Sequence, residues 1–294
     1  MNLIDLHIHT NFSDGYYTGK DIIDRCKKLG LKYISICDHD TTCAYTEELF
    51  TYAKANNINL IPGVEISTNT GKFGIHILGY NINVNDKEFC EKLAKSRNSR
   101  HIYLRDVSKK LKDYGLIVNE AELDEIDAVT KAHIARDVIN NMANKKRLEE
   151  LFGYVPDMGE FIETILNEGC PCYVKKVSYT PEEASCIIRD CGGKVVIAHP
   201  VVYSHEDNLS DEEFINILES INPDGIEAYY VYVNKDKKII EDIKKWVEFA
   251  KERNLIVTLG SDFHTDHQNP FIDVGLKEIE LDEDIQKEII KNIL

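Results

Sequence analysis

The 294-residue chain, 43% hydrophobic, is long enough for one large domain or for a domain carrying an insertion. Its longest apolar runs, 195–198 and 255–259, fall far short of the ~18 residues of a membrane span. The opening Met1-Asn2-Leu3-Ile4-Asp5 has an early acid and no basic stretch, so no export leader is expected and a cytoplasmic protein is. Thirty-five basic against fifty-one acidic residues leave a net charge of −16, which excludes long nucleic acid as an expected partner. A small anionic ligand would then need a local positive source, and bound metal ions supply one. Eight cysteines without a CxxC pair read as reduced thiols.

Short β-branched runs and amphipathic stretches alternate through the first eighty residues. Strands are predicted at 3–6, 32–36 and 58–61, with helices at 19–29 and 42–56 between them. A further strand at 73–80, after a turn at Gly71, is expected to form a hairpin with the segment after Glu65. This βαβ rhythm favours a parallel sheet. From about Asn85 charged helical periodicity takes over, with helices expected up to 112 and at 119–126, 132–143, 147–152 and 158–166. That stretch reads as an inserted helical domain over 85–177, splitting a barrel domain into 1–84 and 178–294. The βα rhythm resumes at Thr180-Pro181-Glu182-Glu183, an N-cap followed by an N1 proline. Strands follow at 194–198, 225–228, 255–259 and 274–279, and helices at 211–220, at 235–253 and from 282.

Histidines and carboxylates gather where predicted strands end. His7 and His9 flank Ile8, and strand alternation turns both rings to one face. Asp14 follows in Ser13-Asp14-Gly15, on a loop that glycine lets curl over the strand mouth. His39 stands in Cys37-Asp38-His39-Asp40, Glu65 after Gly63-Val64, and His76 in the hairpin. His199 in Ala198-His199-Pro200, then Asp262 and His264 in Gly260-Ser261-Asp262-Phe263-His264, complete the set. In a βα barrel the C-terminal strand ends meet at one mouth, so these residues converge. Nine imidazole and carboxylate groups (His7, His9, Asp14, His39, Glu65, His76, His199, Asp262, His264) exceed what one four- to six-coordinate ion uses, which points to two or three ions. Mixed nitrogen and oxygen ligands suit zinc, manganese or iron. Asp40 is expected either to orient a metal-bound imidazole or to cap the helix after Thr42. Glu227 is a candidate supporting group at its strand end, and Tyr229, Tyr230 and Tyr232 are expected to line the rim. His101, His205 and His267 read as solvated.

Asp5-Leu6-His7-Ile8-His9-Thr10, Ser13-Asp14-Gly15, Asp38-His39-Asp40, Gly63-Val64-Glu65-Ile66-Ser67, His76-Ile77-Leu78-Gly79, Ala198-His199-Pro200 and Gly260-Ser261-Asp262-Phe263-His264 together resemble the PHP (polymerase and histidinol phosphatase) metal-dependent phosphoesterases. The resemblance implies an α/β fold, a distorted (β/α)7 TIM-like barrel whose mouth holds two or three divalent ions, Mn²⁺, Zn²⁺ or Fe²⁺. Ser13-Asp14-Gly15 and the helical insertion resemble the stand-alone branch acting on 3′,5′-nucleoside bisphosphates and short RNA 5′ ends, in which the insertion caps the site. There Lys131-Ala132-His133-Ile134-Ala135-Arg136 is similar to an Arg-Pro-His-x-Ala-Arg segment, with Lys131 and Ala132 departing from it.

These residues fit the hydrolysis of small phosphate esters, nucleotides or short oligonucleotides. A water bridging the ions, its pKa lowered towards ~7, would supply the nucleophile. The ions would neutralise charge growing on phosphorus. His133 and Arg136, three apart on one helix face, are candidate catalytic and phosphate-binding groups. No membrane or obligate protein partner is expected. The alternatives are an amidohydrolase-type carbon–nitrogen hydrolase, a histidinol-phosphate phosphatase, or a non-catalytic PHP interaction module.

Overall fold

The computed structural model describes residues 2–234, 237–240, 242–266 and 272–294. They fall into two compact units, Met1–Lys92 with Tyr179–Leu294, and Leu93–Ser178.

In the first unit, β1 (Ile4–Ile8), α1 (Gly19–Leu29), β2 (Tyr33–Ile36), α2 (Glu47–Ala55) and β3 (Asn59–Asn69) alternate as strand periodicity and helix signals require. Thr18 caps α1 in a reciprocal box with Asp21, and Gly30, at φ 84°, ends it. The helix expected from Thr42 starts only at Glu47, because Thr46 is its N-cap and accepts from the Leu49 N–H. This removes the capping role offered to Asp40. β3 is one long strand, parallel to β2 over Asn59 to Pro62 and antiparallel to β4 (Gly74–Tyr80) over Gly63 to Asn69.

α3 (Lys87–Asp113) starts in the first unit and continues into the second. The second unit adds α4 (Glu120–Leu123), α5 (Lys131–Asn140), α6 (Lys145–Phe152) and α7 (Met158–Phe161), the last running into a π-helical turn at Ile162–Leu166. These helices surround a core of their own, including Leu104, Val107, Leu111, Ile134, Val138 and Phe161.

The first unit resumes with α8 (Pro181–Asp190), β5 (Lys194–Ile197), α9 (Pro200–Glu206), α10 (Asp211–Ile221) and β6 (Gly225–Tyr229). Then come β7 (Tyr232–Val233), β8 (Ile239–Ile240), α11 (Ile243–Glu252), β9 (Ile256–Leu259) and α12 (Glu283–Ile293). The helix expected from Lys235, itself outside the described residues, starts at Ile243, because β7 and β8 pair as a small hairpin before it. The strand expected over 274–279 does not form. Gly275 (φ 83°) and Leu276 (φ 41°) are left-handed, and the segment's polar groups bond side chains. Gly275 N–H donates to Asp5, while the Gly275, Leu276 and Ile279 carbonyls accept from the Asn2 amide.

Seven strands make one sheet in the order β1-β2-β3-β4-β5-β6-β9. β4 alone runs against its neighbours β3 and β5. The edges approach each other through His9 N–H to Phe263 O (3.0 Å) and Asp262 N–H to His7 O (2.8 Å), leaving a nearly closed barrel. Ile4, Leu6, Leu78, Val196 and Leu259 pack in one of its cores. Among the described residues no helix is long and apolar enough to cross a membrane.

Candidate metal centre

Strand alternation in β1 sends His7 and His9 the same way, and both are completely buried. Their Nε2 atoms lie 3.1 Å apart. Glu65 Oε2 stands 3.5 Å from His7 Nε2 and 3.3 Å from His9 Nε2, and Asp262 Oδ1 stands 3.4 and 3.1 Å from the same atoms. Glu65 also meets His39 Nδ1 at 2.9 Å, His76 Nδ1 at 2.9 Å and His199 Nε2 at 3.2 Å. Asp14 gathers the other side: His264 Nε2 at 3.1 Å, His39 Nε2 at 3.6 Å and His9 Nδ1 at 3.7 Å. All nine groups singled out in the sequence therefore meet in one place within the first unit.

One of them arrives by a route not expected, and the predicted hairpin accounts for another. Glu65 lies in the middle of β3, opposite Leu78 of β4, not at a strand end. His76 is near the start of β4, and because β4 is antiparallel its start faces the mouth formed by the other strands' C-terminal ends. The Asp14 loop closes with Gly15 N–H on Thr10 O at 3.0 Å. A Cβ on Gly15 would stand 2.5 Å from His9 O, so the approach needs glycine.

Three residues here hold left-handed backbones rare outside glycine: Asp40 (φ 54°), His199 (φ 25°) and Asp262 (φ 52°). Such conformers cost of order 1–3 kcal/mol each and persist where the surroundings fix them. Asp40 is fixed by its N–H on Glu65 O (2.8 Å) and by Ser67 N–H on its Oδ1 (3.2 Å), and Ser67 Oγ lies 3.4 Å from His39 Nδ1. Asp40 thus braces the His39 loop. Asp38, also fully enclosed, accepts from Thr10 N–H (2.7 Å), Thr10 Oγ1 (2.6 Å) and Ser13 Oγ (2.6 Å), and Ser13 Oγ lies 3.2 Å from His9 Nδ1. Tyr230 donates to Asp262 Oδ2 at 3.1 Å, a tighter role than rim lining. Asp38 and Tyr230 were hidden in the sequence because their partners are remote in the chain; adjacency to His39 was the one signal for Asp38.

The electrostatics follow from crowding. Burial opposes the charged forms of Glu65 and Asp14, yet His76, His39 and His7 around the first, and His39 and His264 around the second, hold both well below the usual carboxylate range. Burial likewise works against an imidazolium at His9, but hydrogen bonds and charge from Asp262 and Glu65 carry it up to about 10. At His39 burial prevails and pushes the ring down to about 4. Ionised carboxylates and imidazole nitrogens facing one another form a donor set for cations.

Further observations fit divalent ions. Asp14 Oδ1 and Glu65 Oε2 are buried against imidazole nitrogens without an aligned hydrogen bond, and His199 Nδ1 is buried without a partner, an arrangement costly for protein atoms alone. Eight of the nine residues fall into three overlapping groups whose ligand atoms lie within 4.8 Å of one another: His9, Asp14, His39 and His264; His7, His9, Glu65 and Asp262; His39, Glu65 and His76. His199 touches Glu65 but lies outside these groups.

His133 and Arg136 sit in the second unit, on α5, both lining a cleft of about 480 Å³ with Asn119, Glu122 and Asp137. His133 is the N3 residue of the α5 capping box, its Nδ1 accepting the Thr130 N–H at 3.1 Å. Arg136 Nε is buried with no hydrogen-bond partner. His101 pairs with Asp124 and His205 with Asp242, each at 2.8 Å, as surface residues do. His267 lies outside the described residues.

A family model described as the PHP domain matches residues 5–190. The chain is 30% identical over 284 residues to the 5′-3′ exoribonuclease Rnm of Escherichia coli K12, covering 94% of this chain and 89% of that one. It is 28% identical over 268 residues to a 3′,5′-nucleoside bisphosphate phosphatase of Chromobacterium violaceum, covering 90% and 88%. A solved structure of an amidohydrolase from Chromobacterium violaceum, with bound sulfate and no metal, superposes with a TM-score of 0.78 at 26% identity, covering 99% of this chain and 97% of that one. The barrel, the convergent imidazoles and carboxylates and these likenesses agree: the chain belongs to the PHP domain family and is a metal-dependent phosphoric ester hydrolase.

Proposed function

We propose that the enzyme hydrolyses phosphate esters of small nucleotides, nucleoside monophosphates or 3′,5′-bisphosphates, or of short oligonucleotides. The observation that carries this is the convergence of nine buried or half-buried imidazole and carboxylate groups, with acceptor oxygens that lack an aligned hydrogen bond, at one barrel mouth. His7, His9, Asp14, His39, Glu65, His76, His199, Asp262 and His264 would hold two or three divalent ions, Mn²⁺, Zn²⁺ or Fe²⁺, and the three overlapping groups favour three. Such ions, when bound, acidify water and neutralise negative charge on phosphorus. The chain's own residues arrange this chemistry: Glu65 and Asp14 orient the imidazoles, and Asp40, through Ser67, keeps His39 in place.

The relatives' names support nucleotide chemistry, one as a nucleoside bisphosphate phosphatase and one as an exoribonuclease. The second name bears on partners: the expected exclusion of long nucleic acid, drawn from net charge alone, has no support from it. A reach limited to 5′ ends reconciles an acidic surface with an RNA substrate, because few phosphates need be bound. We place the enzyme in the cytoplasm, where such substrates occur.

Phosphate release tests the nucleotide reading. Metal-stripped protein, reconstituted with Mn²⁺, Zn²⁺ or Fe²⁺, is assayed on nucleoside mono- and bisphosphates, 5′-phosphorylated oligonucleotides and histidinol phosphate. Release from nucleotides that depends on metal is expected. Reconstituted protein with metal bound and no release from any of these would discard the nucleotide reading.

Arg136 is proposed as a phosphate-binding group and His133 as its companion, both in catalysis and in substrate binding. A charged hydrogen bond to phosphate is worth about 1.5–3 kcal/mol, so Arg136→Ala should lower kcat/KM about 10- to 100-fold. Steady-state kinetics indistinguishable from the parent would show that Arg136 does not bind phosphate.

A further inference from the structure

Glu227, on β6, is completely buried, yet it is none of the nine groups that face the centre. A buried carboxylate is costly unless donors surround it. Here two do. Its Oε1 and Oε2 lie 3.1 and 3.2 Å from His7 Nδ1, and its Oε2 accepts the His199 backbone N–H at 3.0 Å. One side chain thus joins residues of β1 and of the β5–α9 turn. His199 is the residue held at φ 25°, so the bond to its N–H falls on a strained point of the mouth. The space is exclusive: a Cβ on Gly260 would stand 2.1 Å from Glu227 Oε1.

We propose that Glu227 is a positioning residue: its carboxylate fixes His7 as the Nδ1–H tautomer, aims Nε2 at Glu65 and Asp262, and pins the His199 turn. This rests on the reading of the nine groups as a metal centre. Carboxylates that accept from the far nitrogen of a metal-binding imidazole fix its tautomer and raise its basicity, and their removal costs 10- to 100-fold in metal affinity. Glutamine is the informative replacement. It keeps the shape but offers one acceptor oxygen and one NH₂ donor, so either His7 Nδ1–H or His199 N–H must face a donor.

The test uses the full chain. Metal content and resistance to chelator are measured for the parent and Glu227→Gln, beside the thermal midpoints of the metal-free proteins. The expected result is 10- to 100-fold weaker metal retention with an unchanged metal-free midpoint. Equal retention would overturn the proposal, and so would a loss of retention that the fall in metal-free midpoint accounts for. A second measurement needs no variant: ¹⁵N–¹H spectra of the zinc-loaded parent should place the His7 proton on Nδ1, and a proton on Nε2 would overturn the assignment. A parent protein that takes up no divalent ion would instead defeat the metal-centre reading itself. The two failures are therefore distinguishable.

Discussion

Glu65→Gln is expected to lower metal-dependent phosphate release by about 10³-fold or more, roughly 4 kcal/mol in the barrier, the scale of breaking a buried charge cluster by removing one partner. No other carboxylate of the site is as connected. Its two oxygens lie within 3.5 Å of His7, His9, His39, His76 and His199, which come from β1, the turn after β1, the turn after β2, β4 and the turn after β5. Glutamine preserves volume and β3 pairing, so the barrel should survive. It removes the charge that the imidazoles surround and sets an NH₂ group against ring nitrogens that point at the carboxylate. kcat and bound metal per chain, measured together, check this. A variant within tenfold of the parent at equal metal content would show that Glu65 is not the hub of the site.

Much of the site was legible because its signals are local. His7-Ile8-His9 needs only the two-residue period of a strand, and Asp262 and His264 need only a strand end beside it. Topology does the rest: when strands line a barrel, residues 250 positions apart share a mouth. What the sequence concealed was the extent of the strands rather than their direction. The turn at Gly71 marks 73–80 as the return strand of a hairpin, as the structure shows, and that reversal is why a histidine near the start of β4 reaches the same mouth as residues following β1, β2 and β5. The extra length of β3 was hidden, since Pro62 and Gly63 read as a strand end and instead mark the point where β3 changes partner from β2 to β4. The false strand at 274–279 has the opposite lesson. Apolar content predicted a ladder there, but Asn2 and Asp5 supply the hydrogen bonds, and a left-handed turn satisfies burial as well as a strand would. Glu227 was legible as a supporting group at its strand end, but its partners, and those of Asp38 and Tyr230, were not, because those contacts are made only in the folded chain.

Gly260→Ala should cost about 3 kcal/mol of stability although it adds one methyl group. The position follows β9 and precedes the Asp262 turn, with backbone N–H on Tyr229 O. A Cβ there would stand 2.1 Å from Glu227 Oε1 and 2.3 Å from His7 Cβ. The first contact is with a side chain held by two hydrogen bonds, and the second with an atom fixed to the backbone of β1, so neither neighbour can give way cheaply. Overpacking of a tight interior costs typically 1–3 kcal/mol and more where backbone must move. At roughly 2 °C per kcal/mol for a chain of this size, the metal-free midpoint should fall by about 6 °C. Gly74→Ala is the control, for its Cβ would meet nothing nearer than Thr68 O at 4.0 Å. Melting curves of the two variants and the parent, recorded in excess chelator, separate the effect on the fold from that on metal binding. A Gly260→Ala midpoint equal to that of Gly74→Ala would mean that β9 and β1 can part at the mouth without cost, and the edge contact that nearly closes the barrel would then be looser than its hydrogen bonds indicate.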